Sequence, residues 1–118
     1  MIVNIISSSR YKIERKKIKN RIDEIIAKKS GVVFSCFNLI FVGKRKMKTL
    51  AAKYKNENVA LPVLTFYYYE QDTGEIFICY PQMILLAAEK NKTVDYILNF
   101  LLEHAIQNLI QQKSSNNQ

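Results

Sequence analysis

The chain has 118 residues, 48% of them apolar, with three glycines, two prolines and a formal net charge of +8. That composition excludes a disordered or fibrous chain and leaves room for one domain around a single core. Fifteen of the eighteen lysines and arginines precede residue 56, beside only Glu14, Asp23 and Glu24, so that part carries +12 and the remainder −4. A field this one-sided attracts polyanions, RNA or DNA first among them. A solvated, lysine-rich helix face is the plainer account of the same charge.

Ile2–Ser7 is a short, β-branched run that suits a strand. From about Lys12 to Lys29 the apolar positions Ile18, Ile22, Ile25 and Ile26 recur at helical spacing, which turns Arg15, Lys16, Lys19 and Lys28 to solvent. Ser7-Ser8-Ser9 reads as the cap between the two. Gly31 ends the helix, and Val32–Val42 reads as a buried strand. Gly43 opens a second basic helix with Met47, Leu50, Ala51 and Tyr54 as its apolar stripe. Lys44, Arg45, Lys46 and Lys48 ring its first turn, where the helix dipole disfavours cations, so something other than helix stability accounts for them.

Val63–Tyr69 and Glu75–Tyr80 are strand-like runs around Glu70–Gly74, the pattern of an antiparallel hairpin. Pro81 suits the first turn of a helix that stops at Asn91. Thr93 is an N-cap for a last helix whose stripe is Val94, Ile97, Leu98, Leu101, Leu102, Ala105 and Leu109. The order β-α-β-α-β-β-α-α indicates an α+β fold: one domain over 1–112, a mixed sheet of about four strands with helices packed on it, and a frayed tail over 113–118.

Cys36 and Cys79 sit in apolar segments. A disulfide between them is one reading, and free thiols in a reducing cytosol the other. No stretch is long enough for a membrane span and the N-terminus does not read as a signal peptide, so a cytoplasmic protein with no membrane partner is expected. The single histidine, His104, shares a helical face with Asn108 at i+4. It is either a polar side chain bonded to its neighbours or a catalytic group, and asparagine is a poor zinc ligand. The acids form no pair on one helical face, and the three glycines are too far apart for a phosphate loop. Tyr67-Tyr68-Tyr69 alternates across a strand, for edge packing or for base stacking.

The segment Tyr54–Phe66, YKNENVALPVLTF, resembles the Y-R-x-x-D-x-P-T-D-V-L-S-F motif of the YbeY family of rRNA maturation endoribonucleases. Tyr54, Val63, Leu64 and Phe66 match, and Thr65 stands for Ser. Gly74, Glu75, Ile76 and Ile78 meet the family's L-G-[DE]-I-x-I. The apolar strand ending Ile40-Phe41-Val42 and the helix bearing Leu50 follow its order of elements. The resemblance implies a role in ribosomal RNA processing at the ribosome and a metal, usually zinc, held by H-G-x-L-H-L-x-G-x-D-H. That motif falls on His104–Ser114. His104 matches the first ligand, Ala105 replaces glycine, and Asn108 and Ser114 replace the second and third histidines. The family's arginine is Lys55, and its Thr-Asp pair is Leu61-Pro62.

One imidazole with an amide and a hydroxyl cannot clasp zinc, so no cofactor is expected. The leading expectation is a YbeY-like protein that binds ribosomal RNA or the small ribosomal subunit, with a degenerate metal site and little or no nuclease activity. Lys44, Arg45, Lys46, Lys48 and Lys55, with Arg15 and Lys19, would hold phosphates in a groove between the basic helices and the last helix. The alternatives are a working single-strand endoribonuclease using His104 and Lys55, and a protein-interaction module built on the Tyr67–Tyr69 edge.

Overall fold

The computed structural model describes residues 1–29 and 31–116. Its elements are β1 (Ile2–Ile6), α1 (Arg15–Lys28), β2 (Cys36–Val42), α2 (Lys44–Lys55), β3 (Val63–Tyr68), β4 (Thr73–Cys79), α3 (Tyr80–Lys90) and α4 (Val94–Asn116). The strands form one mixed sheet in the order β1-β2-β4-β3, parallel except for β3, which runs antiparallel to β4. This is the α+β architecture expected from the order of elements.

Alternation along the strands gives the two sheet faces different tasks. Phe37, Leu39 and Phe41 of β2, with Ile76 and Ile78 of β4, join the main core. There they meet Ile18, Ile22, Ile25 and Ile26 of α1, Met83 and Ala87 of α3, and the apolar side of α4. The residues between them face the other way. Leu64, Phe66, Phe77 and Cys79 pack with Met47 and Leu50 of α2 in a second, smaller cluster. The sheet therefore separates α1, α3 and α4 from α2.

Local chemistry explains most boundaries. Gly31 adopts a left-handed φ of +72°, and Asn91 closes α3 at φ 54°. Pro81 occupies the first turn of α3, and the Thr93 hydroxyl accepts from Tyr96 N–H at 3.0 Å as the cap of α4. Gly74 lies beneath α4, where a Cβ would stand 3.1 Å from Leu109 and 3.4 Å from Phe37.

The structure corrects several sequence readings. β2 starts at Cys36 rather than Val32, because Ser35 N–H goes to the carbonyl and carboxylate of Asp72 instead of joining a ladder. The serines do not cap α1. Ser8 accepts from Arg10 N–H in a local turn, and the N-cap position falls to Glu14 without a side-chain bond. Val94 is exposed, whereas Ile106 and Ile110, absent from the expected stripe, are buried. Residues 113–116 of the expected tail are helical and continue α4; 117 and 118 lie outside the described residues. Cys36 and Cys79 are free. They stand at opposite ends of adjacent parallel strands, six residues out of register and so about 20 Å apart, beyond disulfide reach.

Candidate functional site

The cations differ in how they are compensated. On α1, Lys17 pairs with Asp95 at 2.9 Å, Arg21 reaches Glu24 at 3.4 Å and Glu103 at 3.9 Å, and Arg15 Nε donates to the Ile5 carbonyl. On α2, Lys44, Arg45, Lys46, Lys48, Lys53 and Lys55 are exposed, and none forms an ion pair among the described residues. The first turn of α2 holds no acid to offset them. Their positive potential is therefore left open to an external anion.

Two concavities draw lining residues from α2. One is an open groove of about 570 Å³ lined by Arg45, Lys48, Thr49, Ala52, Lys53 and Asn58. The other, of about 540 Å³, lies at the outer edge of β3 and is lined by Lys55, Thr65, Asn108, Gln111, Gln112 and Ser115. It brings together Lys55 and Asn108, two positions singled out from sequence. It does not include Arg15 or Lys19, which are on α1 across the sheet. The single groove expected between both basic helices and α4 is thus two separate surfaces. Beside Lys55, Tyr54 is 51% exposed, not buried in the stripe of α2, and meets Phe66 edge-on at 4.9 Å between ring centres.

The edge strand is held by α4. Gln112 Oε1 accepts from Tyr67 N–H at 2.9 Å, and its Nε2 donates to Thr65 Oγ1 at 3.1 Å. One residue on, Lys113 donates to Asp72 Oδ1 at 2.9 Å and to the Val33 carbonyl, with its ammonium 5.1 Å from the Phe34 ring. Asp72 also accepts from the Ser35 hydroxyl and from Tyr67 Oη at 2.7 Å. Burial pushes its carboxyl up, but hydrogen bonds from Lys113, Tyr67 and Ser35 outweigh this and hold it at about 2. Burial and the bond to Asp72 push Tyr67 up to about 12. Of the three tyrosines, Tyr67 is half-buried, while Tyr68 and Tyr69 are exposed. Tyr68 donates to Glu75 at 2.9 Å.

His104 is exposed, its ring 4.5 Å from that of Phe100. It shares α4 with Asn108 and Ser114. These are the three positions onto which the resemblance to the family's motif places its zinc ligands, and as a donor set they do not fit the metal. Imidazole, amide and hydroxyl make a weak donor set, and among the described residues no three of His, Cys, Asp and Glu converge. The geometry is equally unsuited. On one uninterrupted helix, position 114 is ~15 Å along the axis from 104 and about 120° round from 108. Sequence reasoning missed Thr65, Gln111, Gln112 and Ser115. The spacing of 108, 111 and 115 along one helical face was the signal available for two of them.

Comparisons with known proteins agree on one family. The family model described as Endoribonuclease YbeY matches residues 4–110. A Thermotoga neapolitana protein named Endoribonuclease YbeY is 31% identical over 108 residues, spanning 92% of this chain and 71% of the relative. One of the same name from Thermodesulfovibrio yellowstonii is 30% identical over 128 residues, spanning 92% and 80%. The solution structure of a Thermotoga maritima protein superposes with a TM-score of 0.65 at 28% identity, covering 92% of this chain and 71% of that one.

Proposed function

The chain belongs to the YbeY endoribonuclease family, and from that premise we propose that it acts in ribosomal RNA maturation by binding RNA without metal-dependent cleavage. The observation that carries the proposal is the unbroken course of α4 through positions 104, 108 and 114. A catalytic zinc needs about three good ligands converging on one point with a fourth position open. Here one imidazole remains; the amide of Asn108 shares its face one turn on, and the helix carries position 114 away from both. Within the family's motif, Lys55 keeps a charge where arginine would grip phosphate with two parallel bonds.

What supports retained RNA binding is the set of uncompensated cations on α2, of which Arg45, Lys48 and Lys53 line one groove and Lys55 the cleft at the edge of β3. Phosphates seated on Arg45, Lys48 and Lys55 would release counterions, so affinity should fall steeply with salt. The RNA would be ribosomal, free or within the small subunit.

The experiment combines metal analysis with binding and cleavage of a ribosomal RNA fragment. Less than about a tenth of a zinc per chain, salt-dependent binding and no cleavage are the expected results. One tightly held zinc per chain, or cleavage abolished by His104→Ala in nuclease-free preparations, would overturn the proposal in favour of a working endoribonuclease.

A further inference from the structure

The two edges of the sheet are finished differently. At the β3 edge, Gln112 of α4 takes the Tyr67 N–H and bonds to the Thr65 hydroxyl, so the helix closes that side. At the opposite edge, no described strand pairs with the outer side of β1. Ile2 N–H donates to the Ser35 carbonyl, and the parallel ladder to β2 continues through Asn4 and Ile6. Alternation therefore turns the N–H and C=O groups of Val3 and Ile5 outward. Among these, the Ile5 carbonyl has one long bond, from Arg15 Nε at 3.4 Å.

β1 lacks the features that keep an open edge from pairing. Its sequence is Ile-Val-Asn-Ile-Ile, with no lysine, no proline and no charge. Val3 and Ile5 turn to the main core, so Ile2 and Ile6 fall on the other face of the sheet, where they are 63% and 52% exposed. The helix on that face, α2, packs on Leu64, Phe66, Phe77 and Cys79 and so stands over β3 and β4. Its cations lie over the half of the sheet away from β1. An apolar, uncharged edge with the basic helix held at a distance can approach its own kind without repulsion.

We propose that the β1 edge pairs with itself: two copies of the chain join antiparallel through β1, about a two-fold axis at Asn4. In that register Val3 of one copy and Ile5 of the other exchange their backbone bonds, twice over by symmetry, which satisfies the outward groups of both residues. The exposed Arg15 releases the Ile5 carbonyl to the Val3 N–H of the second copy. Ile2 of one copy meets Ile6 of the other on the open face, and Val3 meets Ile5 on the core face. Asn4, whose amide donates to Asn38 at 2.9 Å, stands opposite itself. Moving the register two residues either way would set Ile2 or Ile6 against Asn4 instead. The joint closes at two copies, because the β3 edge that a third would need is held by Gln112. Pairing along a strand of five residues buries less than the ~1,200 Å² of a standard interface, so the dimer is reversible, micromolar or weaker. Both four-stranded sheets then form one continuous sheet with the two α2 helices on the same side of it. The inference is independent of the RNA-binding reading.

The test is sedimentation equilibrium of the full chain, freed of nucleic acid, from about 5 to about 500 μM. Wild type should pass from monomer towards dimer across that range. Ile2→Lys with Ile6→Lys sets like charges against each other at both ends of the joint, and should remain monomeric throughout. Ile2→Glu with Ile6→Lys sets opposite charges there, and should dimerise at low salt and dissociate as salt rises. Both side chains are exposed, and circular dichroism checks that the variants fold. Amide hydrogen exchange reads the joint directly. Val3 and Ile5 should gain protection with concentration, whereas Ile2, already bonded to Ser35, should not change. A wild-type chain that stays monomeric across the range overturns the proposal. Dimerisation of the two-lysine variant at wild-type strength also overturns it, by placing the joint elsewhere. Equal loss in both variants contradicts the register, and assembly beyond two copies contradicts the closed joint.

Discussion

Lys113 Nζ stands 2.9 Å from Asp72 Oδ1, joining the C-terminal part of α4 to the turn between β3 and β4. Asp72 also receives Ser35 and Tyr67, and the ammonium of Lys113 lies over Phe34. One ion pair thus ties the last helix to the hairpin and to the lead-in of β2. Charge-assisted bonds of this partly buried kind contribute about 1–2 kcal/mol each when a partner is left without its mate. Lys113→Ala and Asp72→Asn should each lower stability by about that amount, with the loss non-additive in the double variant. Urea denaturation of the four proteins measures the coupling.

The same pair has an acid signature. The Asp72 carboxyl is held at about 2 against an ordinary value of 3.8, so its native state favours the ionised form. The stability it contributes is complete above 3.8 and disappears as pH falls through about 2. Asp72→Asn lacks this dependence. The stability gap between wild type and Asp72→Asn should be widest at neutral pH and shrink markedly by about pH 3. A constant gap across that range would assign the substitution's cost to packing instead.

Placing histidines at the motif positions should not create a zinc site. With Asn108→His and Ser114→His in place, the three imidazoles would still be spread over ~15 Å of continuous helix. Zinc content by elemental analysis should remain well below one per chain. Adding Gln111→Gly places a helix breaker between the second and third positions, at a cost of about 1 kcal/mol to α4. The triple variant should then gain zinc where the double variant does not. Full zinc occupancy in the double variant would show that α4 unwinds readily at its end.

How much of this was legible in the sequence follows from the range of the forces involved. Gly31, Gly43, Pro81, Asn91 and Thr93 act on their own backbone, and each marked its boundary within a residue or two. The hairpin around Glu70–Gly74 was equally local. The helical course of residues 113–116 was not legible, because Lys-Ser-Ser-Asn is locally ambiguous and its order depends on Asp72, distant in sequence. The placement of α1 and α2 on opposite faces was hidden for a related reason. Alternation in Cys36–Val42 reveals that the strand has two faces without saying which helix covers either. For the site, the weak donor chemistry of Asn108 and Ser114 was readable residue by residue. Their separation along α4 required knowing that the helix does not break.

Gly74 tests the packing between α4 and the sheet. An added methyl group would meet Leu109 at 3.1 Å, Phe37 at 3.4 Å and Phe34 at 3.6 Å, all in the main core. Its backbone φ is ordinary, so the cost is steric rather than conformational. Gly74→Ala should destabilise the chain by about 1–3 kcal/mol. Because the displaced Leu109 is on the same helix as Asn108, cleft binding should weaken along with stability. Leu109→Ala combined with Gly74→Ala should cost less than the sum of the two, since the truncated side chain makes room for the methyl.

The separation of the two basic helices by the sheet yields the sharpest electrostatic prediction. Lys17 and Arg21 of α1 already have carboxylate partners from α4, and Arg15 is bonded to the Ile5 carbonyl. A polyanion approaching α1 therefore meets Lys17 and Arg21 beside the acids that partly neutralise them, whereas Lys16, Lys19 and Lys28 have no ion-pair partner among the described residues. The cations of α2 have no such partners among the described residues. Removing charge from α2, by Arg45→Ala with Lys48→Ala, should reduce the slope of log affinity against log salt by about 2 and weaken RNA binding across sequences. Removing the same charge from α1, by Arg15→Ala with Lys19→Ala, should change the slope by less than about half as much. The two doubles carry equal net charge, so a long-range effect of total charge would act on both alike. Only the asymmetric outcome is consistent with RNA held on the α2 face. Equal losses would mean that the strand wraps the edge of the sheet and touches both helices.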